Sequence, residues 1–370
     1  MKIDCIALTH LRMPLVKPFE TSFGRIEQRD CILVEISGEG LLGYGECVAD
    51  RDPGYSYETS NTAWHILKDF IAPAILGKDL ESPHEYQNRV IAVRGHPMAK
   101  AGVEMALWDL LGKRQGQSLR ELLSGVREKV GVGVSIGIQA SPEKLVEVVG
   151  DYLSQGYGRI KIKIKPGRDV VETRALRIAF PDVQLQVDAN SAYTLENAMQ
   201  LKPLDELHLL LIEQPLAEDD LWDHSRLQAR LSTSICLDES ILSERHARQA
   251  LEMKACRVIN IKAGRVGGLS QAVAIHDLCY RSGIPVWCGG MLETGVGRAA
   301  NLALASLPGF SLPGDISASD RYYVQDITRE RFTLNEDSTI TVPQGPGLGI
   351  TIDPQAVERY ALERLVFRQT

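Results

Sequence analysis

Five ionisable residues recur along the chain at a nearly constant step. Lys163 to Asp188, Asp188 to Glu213 and Glu213 to Asp238 are each 25 residues, and Asp238 to Lys262 is 24. Each sits at or near the end of a short apolar run: "RIKIKI", "VQLQVDAN", "LLLIEQP", "SICLDES" and "RVINIKAG". Three carboxylates brought together repel one another unless a cation lies between them. An all-oxygen donor set suits Mg2+, which keeps places for water and substrate. Two lysines flanking such a cation suit a carbon acid: one amine removes the α-proton while the cation and the second lysine take up the developing charge. An acid at the end of a strand often does no more than favour the N-terminus of the next helix. One acid alone would be read that way; three in phase are better explained by a shared cation.

The elements that must position these residues are strands and helices in alternation. In "GRIKIKIKPG", Ile160, Ile162 and Ile164 alternate with Lys161, Lys163 and Lys165, the period of a strand. Further apolar runs fall at 132–138, 284–290 and 310–317, with helical stretches between the runs. Ser243 is placed to cap one helix and Gly283 to end another. Eight strands with intervening helices predict a TIM-like barrel. One βα unit per step puts the five residues at one height, at the carboxyl ends of strands two to six, where barrel active sites lie. Strands two and six of eight are opposite, so Lys163 and Lys262 face each other across the mouth. Lys161 falls one layer deeper, placed to lower the pKa of Lys163 by crowding. Lys165 falls out of phase, beside Pro166. A solvated edge strand would also show lysines, but a closed barrel has no edge.

Residues 1–125 read differently: antiparallel strands to about residue 50, then helices. They predict an α+β capping domain completed by the tail at 325–370, with 126–324 as the catalytic barrel. Two cap loops, 14–24 and 48–59, combine Gly or Pro with aromatics, as lids often do. Phe19, Phe23 and Tyr55 are expected either as apolar substrate contacts or as packing of the cap core.

The net charge of −7 and the absence of a basic cluster argue against nucleic acid. No apolar stretch is long enough to span a bilayer, and the N-terminus does not read as a signal peptide. Seven cysteines without a CxxC motif suggest reduced thiols and a cytoplasmic setting. "GVGRAA" at 295–300, with Asp315 twenty residues on, has the outline of a dinucleotide fingerprint. It sits past a strand end within a continuing array, which argues against that reading.

The KxK pair, "DAN", "EQP", "DES" and "NIKAGRVGG" together resemble the enolase superfamily, whose members include enzymes with a Lys base and Mg2+. They are most similar to its muconate-lactonizing subgroup. "WCGGMLETGVGRAANLALASLPGFSLPGDISASDRYY" resembles the o-succinylbenzoate synthase and N-succinylamino acid racemase family. The resemblance implies a (β/α)7β barrel under an α+β cap, with the last helix short or missing. It implies Lys163 and Lys262 as catalytic lysines and Asp188, Glu213 and Asp238 as ligands of Mg2+, with Mn2+ able to substitute. It also implies supporting or substrate contacts at Lys161, Ser135, Asn190, Gly290 and Met291. Arg265 matches an arginine associated with racemase-competent members. The implied reaction is dehydration of 2-succinyl-6-hydroxy-2,4-cyclohexadiene-1-carboxylate through a metal-stabilised enediolate, in menaquinone biosynthesis, with accompanying racemase activity. The alternatives are a dedicated N-acylamino acid racemase, a dipeptide epimerase or a non-catalytic barrel. Ser317 stands where dipeptide epimerases carry the second aspartate of a DxD pair, which favours an acidic succinyl substrate. Relatives are commonly homo-oligomers, and the resemblance implies one here.

Overall fold

The computed structural model describes residues 1–369. The chain begins with three antiparallel strands, Cys5–Glu20, Arg25–Gly38 and Leu41–Cys47. The turn between the second and third uses left-handed Glu39 and Gly40, φ 54° and 77°, which matches the twist of a tight hairpin. The C-terminal strand Ala361–Arg368 adds to the outer edge of the first strand, giving the order last, first, second, third. The long helix Pro97–Gln115 packs on this sheet. It comes so close that a Cβ at Gly45 would lie 2.0 Å from the carbonyl oxygen of Gly102. The alternation of Gly43 and Gly45 on the third strand is therefore a helix-packing requirement.

Seven parallel strands follow in sequence order: Val134–Ile136, Arg159–Lys163, Gln184–Asp188, Ile212–Glu213, Ile235–Leu237, Val258–Ile261 and Val286–Cys288. The run at 310–317 closes the ring without forming a regular strand. On one side Asp315 N donates to Cys288 O at 2.9 Å; on the other Gly133 N donates to Gly314 O at 2.8 Å. A single helical turn, Ser319–Arg321, follows it in place of an eighth helix. The architecture is the (β/α)7β barrel with an antiparallel cap. Most of the outer connections are α-helices; the third, Ala198–Leu207, contains Pro203 and winds as a 3-10 helix. Ser243 caps the helix Glu244–Glu252. The short strand Thr339–Thr341 pairs with Lys129–Gly131 at the entry to the first barrel strand. This part of the tail thus joins the barrel, while its last strand joins the cap sheet.

Leu211, Cys236, Val258 and Trp287 form a buried cluster of their own. They alternate with the outward-facing apolar residues that pack against the helices, and fill the barrel interior below its mouth. The outward residues, among them Ile160, Ile162, Val187 and Ile259, belong to the main core. Among the described residues, no helix is long and apolar enough to cross a membrane.

Candidate active site

Strand pairing aligns the first three members of the array. Lys163 pairs with Asp188, and Asp188 with Glu213. After that the register steps. Glu213 pairs with Cys236, two residues before Asp238, and Cys236 pairs with Val258, four before Lys262. The expected single height in the ladder is therefore corrected to a rise of two residues at each of two strand junctions. A barrel of tilted strands requires such a stagger, and steps of two keep every side chain on the inner face.

The lysines meet the carboxylates directly. Lys161 is 3% exposed and its Nζ lies 2.6 Å from Asp315, 2.9 Å from Glu213 and 3.1 Å from Asp188. The Trp287 ring lies 4.9 Å away. Lys163 Nζ donates to Asp188 Oδ2 and Asn190 Oδ1, both at 2.6 Å. Lys262 Nζ donates to Asp238 Oδ2 at 2.7 Å and to the Tyr55 hydroxyl at 3.0 Å. Among the described residues, no three carboxylate, His or Cys side chains form a ready-made metal cage. Lys161 bridges Asp188 and Glu213, while Lys163 pairs with Asp188 and Lys262 with Asp238.

Charge crowding is evident in the titration behaviour. Burial works against ionisation of Asp188, yet Lys163 and Lys161 hold its pKa down. Burial and the charges of Asp188 and Asp238 push Glu213 up. Glu239 is driven upward by burial and the same two aspartates, and its Oε2 has no partner. Burial works against the charge on Lys161, but Asp315, Glu213 and Asp188 raise its pKa. Lys161 is thereby kept a cation whose charge is shared among three acids, one of which, Asp188, it shares with Lys163.

Ten of the expected residues line one cleft of about 1090 Å³, its open mouth included: Phe19, Phe23, Tyr55, Ser135, Lys161, Lys163, Asn190, Lys262, Gly290 and Met291. Asp188, Glu213, Asp238 and Arg265 are buried at the carboxyl end of the barrel, in contact with the lysines or with one another. Arg265 donates to Asp238, to Ile241 O at 2.8 Å and to Asn260 O at 2.6 Å, so it braces the carboxylate from behind. Phe23 is 44% exposed and packs against Gly54 of the facing loop, which removes it from the cap core. The apolar role expected for Tyr55 is corrected by its hydroxyl, which donates to Asp238 Oδ1 at 2.9 Å. Lys165 bridges to Arg168 in the loop, away from the array.

Several site residues escaped the sequence reading. Asn260 donates to Glu213 Oε1 at 2.7 Å. It lies two residues before Lys262, so the period of two could have found it. Gln214, in the left-handed region at φ 37°, accepts from Asp238 N at 3.0 Å and donates to Ser240 Oγ at 2.7 Å. The "EQP" run thereby fixes the next strand's acid. Asp315, noticed only in the dinucleotide outline, pairs with Lys161 and with Arg159 at 2.7 Å. At Gly289, a Cβ would lie 2.6 Å from Lys262 Cε and 2.4 Å from Asn260 Oδ1. Only glycine leaves room for that lysine.

Residues 5–124 match the N-terminal domain of the mandelate racemase and muconate lactonizing enzyme family, and residues 144–356 match the enolase C-terminal domain-like family. The chain belongs to the enolase superfamily. An o-succinylbenzoate synthase of Geobacillus kaustophilus is 51% identical, over 100% of this chain and 99% of the relative. An N-succinylamino acid racemase of Thermus thermophilus is 49% identical over 98% of each. The crystal structure of an enolase-superfamily member from Listeria innocua superposes with a TM-score of 0.96 at 41% identity, covering 100% of this chain and 99% of that one. Enzymes of this superfamily generally use a divalent metal.

Proposed function

We propose that this chain is a Mg2+-dependent enzyme that dehydrates 2-succinyl-6-hydroxy-2,4-cyclohexadiene-1-carboxylate to o-succinylbenzoate in menaquinone biosynthesis. The supporting observation is the placement of Lys163 and Lys262, from the second and sixth barrel strands, on one cleft whose lysines contact Asp188, Glu213 and Asp238. The donor set fits a hard divalent ion, because the burial and mutual repulsion that push Glu213 and Glu239 upward are what such an ion offsets. Asp188, Glu213 and Asp238 would hold the ion, with Mn2+ able to replace Mg2+, and it would supply positive charge for the substrate carboxylate and for the negative charge that develops beside the α-carbon.

In its amine form, Lys163 accepts the α-proton. Lys262 stays protonated, since Asp238 holds its pKa up against burial, and its ammonium stabilises the anion from the other face. The proton on Lys163 then leaves with the departing hydroxide as water, and the ring becomes aromatic. Asn190 and Tyr55 orient the two lysines through the hydrogen bonds described above.

A lysine at each side also supports racemisation of N-succinyl amino acids, with one lysine delivering a proton to the face opposite the one deprotonated. That is our second reading. The test is to assay pure protein with the cyclohexadiene substrate and with N-succinyl amino acids of either hand. Activity should vanish in EDTA and return with Mg2+ or Mn2+. Lys163→Ala and Lys262→Ala should each be inactive yet folded, and Lys165→Ala near normal. Racemisation without dehydration would select the second reading. Full activity of metal-free protein, checked by elemental analysis, or of either lysine variant would overturn both.

A further inference from the structure

Arg29 has no assigned part in this chemistry, yet it is one of the largest fully buried side chains of the chain. It lies on the second cap strand, and its guanidinium reaches two other stretches of chain as well as its own. Nε donates to Met291 O at 3.1 Å, in the turn after the seventh barrel strand. Nη2 donates to Val48 O, where the third cap strand runs into the loop at 48–59. Nη1 donates to Asp30 O on its own strand and lies 3.3 Å from Asp50 Oδ1. Packing alone would be served more cheaply by an apolar side chain, because a buried charge must be fully partnered. What a guanidinium adds is a rigid fork that holds several acceptors at fixed separations.

Those acceptors belong to the walls of the cleft. Arg29, Val48, Asp50, Met291 and Leu292 all line it. Leu292 is in the left-handed region at φ 57°, a conformation that persists only where neighbours hold it. Asp50 O accepts from Ser60 N at 2.6 Å, which closes the loop at its base. Fixing Asp50 therefore fixes the root of the loop whose tip carries Tyr55 to Lys262.

We propose that Arg29 is a positioning residue that sets the separation between the 48–59 loop and the Met291 turn, and so decides which side chains of an N-succinyl substrate fit between them. The proposal rests on the reading of the function given above. It places selectivity in a residue with no need to touch substrate.

Lys at this position keeps the charge but loses the fork. In Arg29→Lys, the preference between N-succinyl amino acids whose side chains differ by a methylene or two should compress by about tenfold. The change should fall in KM, with kcat on the best substrate held within about threefold. Trypsin should also cut after the exposed Arg51 faster than in the wild type. In Arg29→Ala, added guanidinium should restore part of the lost preference. Asp50→Asn, which leaves the Met291 bond in place, should speed cutting at Arg51 and change the preference less. Unchanged ranking and unchanged cutting in Arg29→Lys would overturn the proposal. So would an equal loss of kcat on every substrate that guanidinium does not relieve. If the wild type turns over neither substrate class, the functional reading fails. The cutting rates of Arg29→Lys and Asp50→Asn then still decide whether Arg29 holds the loop.

Discussion

Lys161→Met isolates the electrostatic logic of the barrel end. The ammonium it removes is shared by Asp315, Glu213 and Asp188 at 2.6, 2.9 and 3.1 Å. Methionine keeps much of the stem and none of the charge. Removing one partner of a buried ion pair costs about 3–5 kcal/mol. The three acids do not suffer equally. Asp188 retains Lys163 at 2.6 Å and Asp315 retains Arg159 at 2.7 Å. Glu213 loses its one salt-bridge partner and keeps only the Asn260 amide. The lower end of the range, about 3 kcal/mol, is therefore expected. At roughly 2 °C per kcal/mol for a chain of this size, metal-free protein should melt about 6 °C lower. Added Mg2+ should then stabilise the variant more than the wild type, since one competing ammonium is gone; at a hundred times Kd the gain is about 2.7 kcal/mol. Thermal denaturation in EDTA and in a Mg2+ series measures both. A metal-free variant that melts within about 1 °C of the wild type, or one that gains less from Mg2+, would refute the reasoning.

Phe23→Ala should lower kcat/KM for succinylated substrates more than its stability loss explains. Because the ring is already 44% exposed, the loss should be about 1 kcal/mol or less; a variant with wild-type kinetics would remove Phe23 from the lid. Glu46 tests pH dependence. Burial raises its pKa to about 7 from the ordinary 4.5 despite bonds from Thr294 and Gly297. Its protonated form is thus favoured by the fold, and its contribution is fully present below pH 4.5 and lost as pH rises towards 7. Glu46→Gln should flatten the fall in melting temperature across that window, by at most about 3 kcal/mol; an unchanged slope would contradict the assignment.

The period of the array was legible because each βα unit in this barrel has nearly the same length, so residues with the same job recur at the same interval. Lys163, Asp188 and Glu213 show this directly in their pairing. The step at Asp238 was not legible, because strand tilt is a property of the closed ring and of no single strand. The glycines of the third cap strand, Gly43 and Gly45, gave no reading of their own, because their close contact with Gly102 and Ala106 depends on a helix sixty residues away. Tyr55 was legible as a lid residue and misread as apolar. A tyrosine in a loop shows its ring in composition, while the partner of its hydroxyl is set only when the loop meets the barrel. Arg29 left no signal at all, since backbone carbonyls as partners carry no residue type.

The way cap and barrel are joined bears on how the site closes. Glu46 of the third cap strand accepts from Thr294 Oγ1 at 2.6 Å and from Gly297 N at 3.0 Å, at the start of the seventh barrel helix. Gln87 donates to Gly267 O at 3.1 Å, and Glu104 accepts from Ser270 N at 3.3 Å. Arg29 adds its bond to Met291. A rigid swing of the cap would break all of these, and each buried polar group left without a partner costs about 1–3 kcal/mol. The loops at 21–24 and 50–59 make fewer bonds to the barrel, although Asp50 and Glu58 tie the ends of the second to Arg29 and to the Met98 and Ala99 amides. Their contact with the barrel end is a few bonds: Ser22 to Asn190 O at 3.2 Å, and Tyr55 to Asp238 and Lys262. Parting the two loops where Phe23 rests on Gly54 would therefore break fewer bonds than a swing of the whole cap.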